Sequence, residues 1–118
     1  MRRALTALLL LFSLSAGAST YTVDDFGDAG DATPGNDICA TAGNVCTLRA
    51  AIEEAEAHAG ADTIEFLIGG LITPATAFPS MTEQTIIDGT SASDYLGVPV
   101  VLIARTPVPS IRTTGTPR

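Results

Sequence analysis

Hydrophobic and polar positions divide the chain into three regimes. From Ala4 to Leu14 the residues are almost all Ala, Leu and Phe, with only Thr6 and Ser13 polar. That run is continuous rather than periodic. Thr20-Tyr21-Thr22-Val23 then alternates and is rich in β-branched and aromatic residues, which predicts a short first strand. From Asp24 to Asn44 apolar periodicity disappears in an acidic stretch containing Gly and Pro, the pattern of a long loop.

At Thr47 the period becomes helical. Leu48, Ala51, Ile52, Ala55 and Ala59 share one stripe, and Glu53, Glu54 and Glu56 are expected to face elsewhere. With Thr47 as N-cap and Gly60 as the C′ residue, the helix should run for about twelve residues. So short a helix is marginal alone, and its Ala-rich stripe must lie close against another element. After Gly60 the period is two: Thr63 to Leu67, Leu71 to Thr73 beyond the Gly69-Gly70 turn, Gln84 to Asp88, and Val98 to Ile103 read as strands. Ile64 and Ile86 lie 22 residues apart, a spacing at which a coiled chain returns to its starting edge.

The N-terminal run acquires meaning from its flanks. Arg2 and Arg3 form a positive n-region, and Ala16-Gly17-Ala18 supplies a small-residue A-x-A site, so residues 1–18 read as a signal peptide cleaved before Ser19. A span of the bilayer needs about 20 apolar residues, more than this run has. No Cys follows the site, which excludes a lipoprotein. Cleavage removes two of the arginines and takes the formal charge from −7 to −9. All six basic residues of the chain are arginine, and none form a patch able to neutralise phosphates, so nucleic acid and anionic lipid are not expected partners. With no Trp and few aromatics, the core of one small domain must come from Ile, Leu, Val and Ala.

Two cysteines, Cys39 and Cys46, follow the cleavage site, and an even count in an oxidising compartment predicts a disulfide between them. Gly43 and Asn44 let the intervening chain reverse. Closing so short a loop contributes about 2 to 3 kcal/mol in the chain-entropy account. Two thiols and the lone His58 are too few for a zinc site. Asp24, Asp25, Asp28, Asp31 and Asp37 crowd the acidic loop without the spacing of an EF-hand, leaving a solvated loop and a calcium site as alternatives. Asp62, Asp88 and Asp94 fall at expected turns. Arg49 sits near the helix start, where the dipole disfavours a cation, and requires a carboxylate or strand-end carbonyls as partners. His58 is placed to meet the carbonyls of the last helical turn. No nucleophile elbow, P-loop, dinucleotide or metalloprotease motif occurs, so no catalytic residue and no cofactor is assigned.

Cys46-Thr47-Leu48-Arg49-Ala50-Ala51-Ile52 resembles the signature of the CSLREA-domain family. Tyr21 to Asp25, Cys39 ahead of Cys46, Gly60 to Phe66 and Thr85 to Thr90 are similar to that family's further blocks, in the same order. The resemblance implies a mostly β fold with one short α-helix, forming the N-terminal cap and first coils of a right-handed parallel β-helix. It divides the chain into the signal peptide, a short strand with acidic loop at 19–45, the cap helix and first strands at 46–103, and a Pro/Thr-rich tail at 104–118. It implies a secreted or cell-surface structural module within a larger envelope or adhesin-like protein. Its partners would be further coils of a longer chain, with extracellular polysaccharide or envelope components beyond them. The alternative is the leader of a polysaccharide-degrading lyase or hydrolase. Each coil of a solenoid buries its apolar side chains on the next, so the 118 residues are expected to form an incomplete solenoid that aggregates or melts without cooperativity. Ala50 stands where the family has Glu, which removes half of a capping box and predicts a loosened helix start.

Overall fold

The computed structural model describes residues 17–104, so the n-region, the h-region and the tail beyond Ala104 lie outside the described residues. Five short strands and one helix follow in the order β1 (Thr20–Val23), α1 (Leu48–Ala57), β2 (Asp62–Phe66), β3 (Gly70–Ile72), β4 (Thr85–Asp88) and β5 (Val101–Ile103), with a single 3-10 turn at Gly89–Ser91. The fold is mostly β with one short helix. Every strand pair is parallel, and the strands form two small sheets, β1-β2-β4 and β3-β5.

Register explains which side chains are buried. Tyr21, Ile64 and Ile87 align across the first sheet, as do Val23 and Phe66. Residues aligned in a parallel ladder project to the same face, so these positions stack in columns. Tyr21, Val23, Ile64 and Phe66 are buried, and α1 places Leu48, Ala51, Ile52 and Ala55 against them. Alanine at two of those helical positions allows close approach of helix and sheet. In the second sheet Ile72 is buried and pairs with Ile103.

Several sequence expectations shift here. The return interval is 23 residues rather than 22, because Ile64 pairs with Ile87 and not Ile86. The strands expected at Leu71–Thr73 and Val98–Ile103 are Gly70–Ile72 and Val101–Ile103. Helix α1 has ten residues, ending at Ala57, because His58 already adopts extended dihedrals as C-cap. Gly60, with φ +143°, serves the reversal into β2 instead of closing the helix. The helix start is not loosened: the Thr47 hydroxyl accepts the Ala50 N–H at 3.0 Å and donates to the Ala29 carbonyl at 2.6 Å. That second bond anchors the cap without the missing Glu.

Gly70 is required by proximity. A Cβ there would lie 2.5 Å from the Phe26 ring, which packs directly on the β3 backbone.

Candidate functional site

The polar residues of the helix organise the loops around it. Glu53 accepts the Asp31 N–H at 2.6 Å, and Glu56 accepts both the Thr82 N–H and the Thr82 hydroxyl at 2.8 Å. Glu54 departs most from the sequence pattern. Expected to face away from the apolar stripe, it is fully buried and accepts N–H groups from Gly35, at 2.7 Å, and Asp37. A buried carboxylate needs donors, and the loop supplies two backbone ones. Asp37 takes a left-handed backbone, φ 63°, to present its N–H to this acceptor.

That contact delivers the Asp37 side chain to the edge of β1. Its Oδ1 accepts the Tyr21 hydroxyl and the Ser19 hydroxyl, both at 2.9 Å. The Tyr21 and Ser19 hydroxyls together hold the Asp37 carboxyl below the usual carboxylate range. Burial, reinforced by the bond to Asp37, pushes the Tyr21 phenol well above its ordinary value of 10.0.

Beside this group stands Asp62, placed by the sequence at a turn but in fact the buried first residue of β2. Its Oδ1 accepts the Ser19 N–H at 2.8 Å, and the His58 Nδ1–H approaches at 3.1 Å. The His58 side chain therefore does not meet the helix carbonyls. Its backbone N–H does so instead, donating to the Glu54 carbonyl at 3.0 Å. His58 Nε2 lies 3.5 Å from the Ser19 Oγ.

Ser19, His58 and Asp62 thus touch in the sequence of an acyl-transfer relay, but their bonding is wrong for that chemistry. The Ser19 hydroxyl donates to the Asp37 carboxylate and not to a His base, and the Ser19 N–H is already taken by Asp62. The arrangement is a set of carboxylates gathered around the residue that leads into β1.

The acidic loop is distributed rather than clustered. Asp24 accepts the Cys46 N–H, Asp25 the Gly27 N–H, and Asp31 the N–H groups of Thr33 and Ala40. Among the described residues no group of three or more ligating side chains converges on a metal-sized site. Asp28 faces Arg49 through two bonds of 3.0 Å and also accepts the Ala75 N–H. Partial burial works against the Asp28 charge, but the Arg49 and Ala75 bonds outweigh it and hold its carboxyl below the ordinary value. The same guanidinium donates to the carbonyls of Thr76 and Ala77 and lies over the Phe78 ring, 5.1 Å from its centroid. Arg49 so ties the acidic loop to the segment between β3 and β4. Asp88 and Asp94 do act at turns, capping the 3-10 turn and the Gly69 N–H.

Cys39 and Cys46 are disulfide-bonded, with Cα atoms 5.2 Å apart. The bond agrees with an oxidising compartment, and among the described residues no helix is long and apolar enough to cross a membrane.

Ser19, Tyr21, Glu54 and Asp62 were not singled out by sequence reasoning as a group. Nothing local marks them: Ser19 and Tyr21 lie at and within β1, Glu54 on α1 and Asp62 on β2, and the β1–β2 register together with the loop carrying Asp37 brings them together. Compared with known protein families, characterised proteins and solved structures, the chain finds no match.

Proposed function

We propose that the protein is an exported structural module that begins a parallel β-helix and receives further coils, as its resemblance to the CSLREA-domain family implies. The observation that carries this reading is the fate of the core-facing columns at the open strand edges. Tyr21 is 4% exposed and Ile64 0%, yet Ile87, next in the same column, is 38% exposed; Ile72 is 0% exposed and its partner Ile103 51%. Each column ends in an apolar side chain on an outer strand with no further strand described beside it. A following coil would cover both the side chain and the unpaired backbone groups. Helix α1, packed on β1 and β2, fits the role of covering the beginning of the stack.

The test is the assembly state of the exported chain, since uncovered parallel edges pair with whatever strand they meet. Sedimentation should find the unmodified chain self-associated. Lysine placed at both edge columns, Ile87→Lys with Ile103→Lys, should leave it monomeric with unchanged far-ultraviolet circular dichroism. A soluble monomer with a sharp, reversible thermal transition would show that the edges need no further coil and refute the proposal.

A further inference from the structure

Ser19 is the residue that cleavage after Ala18 would place first, and in the structure it is already built into the sheet. Its carbonyl accepts the Thr63 N–H at 2.9 Å, extending the β1–β2 ladder by one step. Its nitrogen lies 2.8 Å from Asp62 Oδ1. Asp62 is fully buried, and in the uncut chain that nitrogen is a neutral peptide donor with one hydrogen. Ala18 and Gly17, immediately before it, are exposed, so the scissile bond lies at the surface of this corner.

Cleavage changes the chemistry of one atom and leaves its position available. The peptide nitrogen becomes an α-ammonium with three donors and a unit charge. Asp62 from β2 faces that nitrogen directly, while Asp37 from the loop and His58 from the end of α1 face the Ser19 hydroxyl and the Tyr21 hydroxyl from β1 donates to Asp37. Two carboxylates and one imidazole surround the site, and Arg49 is held elsewhere by Asp28. Asp62 has two partners in the uncut chain, the Ser19 N–H and the His58 ring, and cleavage replaces the first by a hydrogen-bonded unit charge, pairing the buried carboxylate directly.

We infer that the Ala18–Ser19 bond is a processing site whose product is itself a structural group: the new α-ammonium of Ser19 docks on buried Asp62 and locks the start of β1 to β2. This rests on the export reading of residues 1–18. The mature chain then differs from its precursor by an ion pair as well as by length, and the Ser19–Asp62 contact already made in the uncut chain becomes a charged one after cleavage.

The absence of lysine makes the test direct, because the mature chain has a single primary amine. Brief acylation with an N-hydroxysuccinimide acetate, followed by mass spectrometry, reads that amine alone. An α-amino group ordinarily titrates near 7.7 to 8.0, and pairing with Asp62 raises it, so at about pH 8 the native amine should react roughly tenfold more slowly than in concentrated guanidinium. Asp62→Asn should abolish most of that protection. A chain retaining Gly17-Ala18 ahead of Ser19 should react at the unfolded rate, since its amine extends past Asp62. Should Asp62→Asn fail to fold, a chain acetylated at Ser19 carries the test, with hydrogen exchange at the Thr63 N–H expected to accelerate about tenfold. Equal acylation rates in native and unfolded chains, or Thr63 exchange indifferent to acetylation, would overturn the docking. The export reading is separable: a secreted product beginning at Ser19 with an unprotected amine overturns the docking alone, whereas a product beginning elsewhere overturns both.

Discussion

Replacing Glu54 by alanine tests how the helix holds the acidic loop. The carboxylate is fully buried and accepts two backbone N–H groups, from Gly35 and Asp37. Hydrogen bonds to a charged acceptor contribute about 1.5 to 3 kcal/mol each, so two amount to roughly 3 to 6 kcal/mol. Gly35 and Asp37 are exposed residues, and their N–H groups can turn to water once released, which favours the lower end. A local opening free energy reduced by about 3 kcal/mol corresponds to a little over a hundredfold faster exchange at those two amides. Native-state hydrogen exchange by NMR measures this directly. Glu54→Gln keeps the shape and one neutral acceptor, and should give an intermediate acceleration of about tenfold. Loss of the anchor also frees Asp37 from Tyr21 and Ser19, so the Tyr21 phenol should titrate closer to 10.0 in the alanine variant. Unchanged exchange at Gly35 and Asp37 would refute the anchoring role. Equal acceleration at Thr63 in the β1–β2 ladder would mean that Glu54 acts as core filling.

Arg49→Lys keeps the charge but loses the planar fork that spans Asp28, Thr76 and Ala77, and should cost about 1 to 3 kcal/mol, seen as increased proteolysis within residues 73–84. Gly70→Ala should destabilise the β3–β5 pair by about 1 to 3 kcal/mol through collision with the Phe26 ring, with rescue by Phe26→Leu; exchange at the Ala104 N–H, which bonds to the Ile72 carbonyl, reports both. Acid should weaken the fold in a defined window: Asp28, Asp37, Asp88 and Glu56 have carboxyls held below their ordinary 3.8 to 4.5, so the unfolded chain binds more protons there. Their contribution is present above that range and is lost as pH falls from it towards the lowered values of the folded state. In alkali the sign reverses for Tyr21, whose raised phenol stabilises the fold below pH 10.0 and ceases to do so as pH rises beyond it; denaturation followed across both limits checks the two windows.

Local chemistry determined much of this protein in the sequence itself. The onset of a helical period at Thr47, the Thr47 cap and the alternation after Gly60 are properties of neighbouring residues, and the helix and strands lie within a few residues of where they point. The need of Arg49 for a carboxylate or carbonyls as partners was equally legible, since an unfavourable dipole position demands them whatever the fold, and the structure supplies both. The register was not. A 23-residue return differs from a 22-residue one by a single position, and that step decides whether Ile86 or Ile87 continues the buried column. The candidate site depended on the same tertiary step. Ser19, Asp37, Glu54 and Asp62 are ordinary polar residues in four separate segments, and Glu54 is buried only because the loop folds back over the helix with two N–H groups to offer. Periodicity assigns a charged residue to solvent because water is the usual source of its hydrogen bonds; only the assembled fold shows that protein backbone has taken water's place.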